Sequence, residues 1–189
     1  MKERRHIIQR LKVLCIFQPD GVTCVPTCLK MVLEYINDGL GGGNLNLSIG
    51  DISKIVGTTE DGTVFDDVNK INKNMKILKA IPSIEFVVKY EYHILKDIED
   101  EIKNGRPAIA WILPLGARNM KHSIVITGLD LDKSLIYYND PISGEVEARL
   151  GEFMSLWDKT DRTLIRVKIG KREQRLLDEW LKEKMEGAQ

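Results

Sequence analysis

A long apolar segment lies near the beginning of the chain, directly after a short polar stretch. Residues 18–35 read QPDGVTCVPTCLKMVLEY, and the apolar positions at their end cover most of the circumference of a helix. Because Pro26 suits the first turn of a helix, we predict a helix over residues 26–37. A helix that is apolar nearly all round belongs inside a domain. The pattern therefore predicts a buried central helix, with Cys24 just ahead of its first turn.

The rest of the first half also has helical periodicity. It predicts three further helices, over residues 49–56, 64–74 and 92–104. Ser48 or Asp51 is the candidate cap of the first, Thr63 caps the second, and Gly105 ends the third. Short extended segments are expected at residues 12–17, 76–78 and 84–88. The stretch DGLGGGNLNLS, residues 38–48, is typical of a flexible connection.

The second half has the character of a β-sheet. Continuous apolar runs predict strands at residues 107–113, 122–129, 135–139 and 163–169. A short helix over residues 150–157 precedes the last strand, and an amphipathic helix begins at Lys171. A helical half followed by antiparallel strands is an α+β arrangement, with the central helix packed on the sheet.

These elements divide into one domain and a tail. We predict a single domain over residues 1–170, with a helical lobe at about 1–105 and a β lobe at about 106–170. Residues 171–189 form a separate C-terminal helix, whose apolar stripe is a possible contact for a partner or a second copy. The oligomeric state stays open.

Composition narrows the possible functions. The 189 residues contain 28 acidic and 28 basic side chains, so the basic excess typical of a nucleic-acid-binding protein is missing. The three cysteines do not form a disulfide framework, which favours a reducing compartment. No apolar run has the length of a signal sequence or a membrane span, so we expect a soluble, cytoplasmic protein. Cys24 and Cys28 lack the spacing of a zinc site, so neither metal nor cofactor is expected.

Cys24 is the candidate nucleophile. The positive end of a helix dipole favours a thiolate over a thiol, and Cys24 is predicted at such an end. A cysteine nucleophile needs a base. The chain offers His6 in a charged N-terminal arm, His93 between two elements, and His122 at the beginning of an apolar strand.

His122 belongs to a predicted hairpin whose second strand ends near Asp140. If the turn is centred near residue 131, the numbers of paired residues sum to about 262, so His122 lies opposite Asp140. A slip of one residue would place Asn139 there instead. Either side chain can hold the imidazole N–H and fix its orientation. Gln18, six residues before Cys24, is a candidate to stabilise an oxyanion together with the Cys24 N–H.

Several segments in this order resemble one protein family. They are Gln18, TCVPTCLKMVLEY, GRPAIAWI, HSIVITGLD and YYNDP. They resemble the double-glycine-leader (bacteriocin-processing) cysteine peptidases and their stand-alone relatives, over roughly residues 12–168. The resemblance implies a papain-like fold, in which a helical lobe carries the nucleophile and a β lobe carries the base. It also implies Cys24 as nucleophile, His122 as general base and acid, Asp140 as its orienter and Gln18 in the oxyanion hole. Val25 occupies the position where the family usually has glycine.

Two functions fit this sequence. The first is a cysteine peptidase or amidase that acts on a peptide or protein through Cys24 and His122. The alternative is a catalytically silent papain-like domain that binds a peptide or protein partner in the same cleft. Within the enzymatic reading, transfer of the acyl group to an amine instead of water is also open.

Overall fold

The computed structural model describes residues 9–43, 45–89, 92–116 and 120–186. His6 and most of the predicted N-terminal arm lie outside the described residues. The α-helices are α1 Cys24–Gly39, α2 Ile49–Val56, α3 Met75–Ala80, α4 Leu95–Lys103, α5 Leu150–Asp158 and α6 Lys171–Glu186. A 3-10 helix spans Phe65–Lys73. The strands are β1 Gln9–Arg10, β2 Ile84–Lys89, β3 Ala108–Ile112, β4 His122–Asp130, β5 Leu135–Asp140, β6 Gly144–Arg149 and β7 Leu164–Ile169.

The strands form one antiparallel sheet in the order β2-β7-β3-β4-β5-β6, and β1 pairs with β4. The strand β2 lies in the sequence of the helical lobe but pairs along its whole length with β7. All nine residues of β4 are buried, because the strand lies inside the sheet between β3 and β5 and the helices α1 and α4 pack against it. The predicted α+β arrangement is confirmed.

The central helix α1 packs on the sheet against β4 and against α2. Twelve of its residues are buried, as its all-round apolar pattern predicts. It begins at Cys24, two residues before Pro26. Proline fits here because N–H groups in the first turn have no partner within the helix.

Local caps decide the helix boundaries in the helical lobe. Ser48 caps α2, since its hydroxyl accepts the Asp51 N–H while the Asp51 carboxylate accepts the Ser48 N–H. The prediction that residues 76–78 are extended is wrong. They belong to α3, because the side-chain oxygen of Asn74 accepts the N–H groups of Lys76 and Ile77, the second and third residues of this helix.

The helix predicted to begin at Thr63 is also different in the structure. Residues 65–73 form a 3-10 helix that follows Val64. The Thr63 hydroxyl lies 2.8 Å from the Thr58 hydroxyl instead of capping a helix. The hydroxyl pair joins the two sides of a tight turn that follows α2.

The predicted strand at residues 12–17 is wrong as well. Sheet pairing ends at Arg10, and the segment then follows β4 and β5 through separate hydrogen bonds. The Leu11 N–H donates to the carbonyl of Thr127, and the Asn139 side chain donates to the carbonyl of Val13. Strand β6 was not predicted, because its sequence GEVEAR has too few apolar residues to show a strand pattern.

The C-terminal helix α6 is part of the hydrophobic core. Leu177 is completely buried, and together with Trp180 it occupies the space that a side chain at Gly39 would need. The Trp180 ring meets Tyr35 of α1 edge to face, with 5.3 Å between ring centroids. Among the described residues, no helix is both long and apolar enough to span a membrane.

Replacing Leu177 by alanine should therefore destabilise the domain as a whole. We expect Leu177→Ala to lower the free energy of unfolding by about 2–5 kcal/mol, because it leaves a cavity between α6 and α1. Leu176→Ala is the matched control, since Leu176 is 40% exposed. Leu176→Ala should change the free energy of unfolding by no more than about 0.5 kcal/mol. Urea titration of both variants measures the difference. Equal effects of the two variants would show that α6 does not pack on the core.

Candidate active site

Cys24 lies at the first position of α1, half-buried at the base of an open cleft. The polar loop of residues 18–23 leads directly into it. Val25, the next residue, is only 2% exposed and belongs to the hydrophobic core. The valine that replaces the family's usual glycine therefore packs mostly inwards and leaves Cys24 accessible.

His122 and Asp140 meet beside Cys24. The Nε2 atom of His122 lies 2.8 Å from Oδ1 of Asp140. The same Oδ1 atom accepts the backbone N–H groups of Ile142 at 2.7 Å and Ser143 at 3.3 Å, which fixes the carboxylate. Since Nε2 is engaged by Asp140, Nδ1 is the ring nitrogen left for the hydrogen bond between His122 and the Cys24 thiol.

The register of the hairpin differs from the prediction. Val125 pairs with Asn139, and pairing shifts by one residue between Ile126 and Gly128 at a β-bulge. Continuing this register places Asp140 opposite residue 124, so His122 is its diagonal neighbour on the same face and within reach of a long side chain. Asn139 was the alternative orienter, but it is buried and donates to the carbonyl of Val13.

The charges of this site favour a thiolate and an imidazolium. Burial alone would raise the pKa of Cys24, but hydrogen bonds with His122 and Ser123 and the charge of His122 lower it below its ordinary value. Burial would lower the pKa of His122, but its hydrogen bonds to Asp140 and Cys24 raise it to about 9. Burial opposes ionisation of Asp140 too, yet the bond to His122 holds its pKa below the usual value. The three groups therefore stabilise one another in their charged forms.

The other two cysteines have the opposite environment. Cys28 lies one turn along α1, is completely buried, and its Sγ donates to the Ser123 carbonyl at 3.3 Å. Burial raises its pKa well above the ordinary value. Burial and the nearby carboxylates of Glu145 and Asp140 also raise the pKa of Cys15. Cys24 is thus the only one of the three thiols whose surroundings favour the thiolate.

The cleft around Cys24 has a volume of about 680 Å³. Its lining includes the turn of residues 60–63, which contributes two carboxylates, Glu60 and Asp61. It also includes Trp111, with Lys121 Nζ 4.5 Å from its ring centre. Trp111 was assigned only to an apolar strand, because a lone tryptophan in such a run does not show which face it occupies. A cleft of this size and shape can hold an extended peptide.

Gln18 lies close to this site but does not line the cleft. Its backbone N–H donates to the carbonyl of Pro141, next to Asp140, at 2.8 Å. Its side-chain Nε2 donates to the carbonyl of Asp20. The remaining histidine, His93, is buried elsewhere, with Nδ1 3.4 Å from a carboxylate oxygen of Asp97. Among the residues that the structure describes, no three potential ligands converge to hold a metal ion.

Solved structures show how this arrangement compares with other proteins. The chain is similar to a double glycine motif protease from an AMS/PCAT transporter, solved in complex with its leader peptide. Identity is 22%, coverage is 84% of this chain and 91% of the other, and the TM-score is 0.54. It is also similar to the peptidase domain of Streptococcus ComA, a bi-functional ABC transporter involved in quorum sensing. Here identity is 18%, coverage 86% and 99%, and the TM-score 0.59.

A third similar structure is a putative C39-like peptidase from Bacillus anthracis, with 14% identity, coverage of 86% and 98%, and a TM-score of 0.60. At these identities the likeness shows the fold, which is the papain-like α+β fold. No curated protein sequence matches the chain. A family model matches residues 10–165, most of the chain, and its description is Peptidase_C39 like family. Membership of this family supports a peptidase-type function, and the chain belongs to the Peptidase_C39-like family of papain-like fold.

Proposed function

We propose that this protein is a cysteine peptidase that hydrolyses peptide bonds through Cys24, His122 and Asp140. The observation that carries this proposal is that Cys24, His122 and Asp140 line the same open cleft, with the imidazole of His122 2.8 Å from the Asp140 carboxylate. The perturbed pKa values of all three groups point the same way.

The reaction follows from the geometry. The Cys24 thiolate attacks the carbonyl carbon of the peptide, and the carbonyl oxygen becomes an oxyanion. His122 gives its Nδ1 proton to the departing amine as the C–N bond breaks, which leaves an acyl-enzyme. The neutral imidazole then removes a proton from water, whose oxygen attacks the thioester and releases the acid. Throughout the reaction, the Asp140 carboxylate accepts a hydrogen bond from the His122 Nε2–H and keeps the ring oriented.

The oxyanion needs donors at the beginning of α1. We assign this role to the Cys24 N–H and to the side chain of Gln18. Gln18 is anchored beside Asp140 by its backbone, but its amide donates to the Asp20 carbonyl and would exchange that contact for the oxyanion. Apo sites often have loosely formed catalytic contacts of this kind.

The proposed substrate is a peptide or a protein segment. The solved relative from the AMS/PCAT transporter holds a leader peptide, and the lining of the cleft in this chain includes acidic residues at 60–61 and a basic one at Lys121. Catalysis requires Cys24 as a free thiolate, so the proposal places the protein in a reducing compartment such as the cytoplasm.

Cys24 should react selectively with an alkylating reagent at mildly acidic pH. At about pH 6 an ordinary thiol is almost wholly protonated and reacts slowly. We expect a low dose of iodoacetamide to modify Cys24 before Cys15 and Cys28, as measured by peptide mass spectrometry. His122→Ala should abolish this preference because it removes the hydrogen bond and charge that lower the pKa of Cys24.

Hydrolysis of a peptide library by the same samples completes the test. Cys24→Ala should reduce the rate at least about 10³-fold, whereas Cys15→Ala, outside the cleft, should retain it. A Cys24→Ala protein as fast as the wild type would contradict the assignment. Slow labelling of Cys24, together with peptide binding that survives Cys24→Ala, would instead support the silent binding domain.

The pH dependence of kcat/KM should be bell-shaped. The rate should fall at acid pH as Cys24 becomes protonated, and at alkaline pH as His122 loses its proton near pH 9. In Asp140→Asn, the alkaline limb should move from about 9 towards the ordinary histidine value of 6.5, because the negative charge that helps to raise this pKa is lost. Ser143→Ala is the control, since Ser143 contacts Asp140 through its backbone N–H only. An alkaline limb unchanged in Asp140→Asn would rule out Asp140 as the orienting group.

A further inference from the structure

The helix α1 has a capping residue that does not cap it. Thr23 occupies the N-cap position and is a favoured residue there, yet its side chain makes no hydrogen bond to the helix. A capping hydroxyl normally accepts the N–H of the second or third helical residue. The third residue is Pro26, which has no N–H, so the Val25 N–H is the one donor that Thr23 has to accept.

The Thr23 hydroxyl is directed away from the helix by Asp20. It donates to Oδ1 of Asp20 at 2.9 Å, and the same oxygen accepts the Val22 N–H at 3.0 Å. Thr23 is only 6% exposed, so its hydroxyl is held in this orientation by its surroundings. The hydrogen bonds of Val22 and Thr23 keep the pKa of Asp20 below its usual value, and the carboxylate stays ionised as their acceptor.

Asp20 also holds the side chain of Gln18. The backbone carbonyl of Asp20 accepts the Gln18 Nε2–H, while Gln18 Oε1 is buried and has no hydrogen-bond partner among the described residues. A buried acceptor without a partner costs free energy. The resting position of the Gln18 amide is therefore only partly satisfied, which lowers the cost of leaving it.

The result is an open helix terminus beside the nucleophile. Within the described part of the chain, no acceptor takes the N–H groups of Cys24 and Val25. N–H groups in the first turn of a helix point out of its end and can bind an anion. An oxyanion that forms at the Cys24 sulfur develops next to them.

We propose that Asp20 is a positioning residue, whose carboxylate holds the Thr23 hydroxyl off the end of α1 and so reserves the Val25 N–H, beside that of Cys24, for the oxyanion. This inference rests on the proposed peptidase function for its catalytic consequence. Its structural part does not depend on turnover: the Asp20 carboxylate and the Val25 N–H are alternative hydrogen-bond partners of the Thr23 hydroxyl.

Three variants separate this role from simple support of the loop. In Asp20→Ala, the released hydroxyl can accept the Val25 N–H, so we expect kcat to fall about 10-fold with little change in KM. In Asp20→Ala/Thr23→Val, the competing hydroxyl is gone, and kcat should return to within about twofold of Thr23→Val alone. Asp20→Asn keeps an acceptor oxygen and should resemble the wild type.

Hydrogen exchange of the Val25 amide, followed by NMR, gives a readout that needs no substrate. It should be fast in the wild type, slower in Asp20→Ala, and fast again in the double variant. Unchanged exchange in Asp20→Ala, or a double variant with a kcat no higher than that of Asp20→Ala, would overturn the role of Asp20. If the three proteins show the expected exchange pattern but the wild type cleaves no peptide and its Cys24 is unreactive, the peptidase function is overturned and the role of Asp20 at the helix end is not.

Discussion

Cys24 and His122, the proposed nucleophile and base, come together because α1 packs against β4. The contact is fixed one turn inside the helix, where the buried Cys28 donates to the carbonyl of the equally buried Ser123. Cys24 lies one turn before Cys28, and His122 directly precedes Ser123, so this buried contact sets the distance between them. A core that is close-packed tolerates little sliding of one element along another. The distance between Cys24 and His122 in the cleft thus depends on the buried contact between Cys28 and Ser123.

The same packing explains why three identical thiols differ. The Cys28 thiol is removed from water without a cation nearby, and the Cys15 thiol faces carboxylates, so both stay protonated. Cys24 is half-buried as well, but His122 supplies a proton donor and a positive charge. Burial then strengthens the ion pair, because a charge interaction grows as water is excluded.

Much of this site follows from the sequence because its members belong to regular elements with strong patterns. The buried helix next to Cys24 was predicted from its apolar positions and from Pro26, and the hairpin with His122 and Asp140 from two apolar runs joined by a polar turn. The failures have local causes. The cap at Asn74 overrides a run of β-forming residues, and the polar β6 has no apolar alternation to reveal it. The orientation of Gln18 depends on a hydrogen bond to a backbone carbonyl, for which no sequence pattern exists.

The β-bulge in β4 decides which residue lies on the same face of the hairpin as His122, and so which one we propose as its orienting group. Side chains of a strand alternate between the two faces of the sheet, so a shift of one residue exchanges them. If residue 127 were paired normally, Asn139 would share a face with His122, and Asp140 would face the opposite side. The register of the hairpin therefore determines whether Asp140 or Asn139 faces His122. When this chain is aligned with another sequence, a single misplaced gap between His122 and Asp140 would match Asn139 instead of Asp140 to the orienting residue.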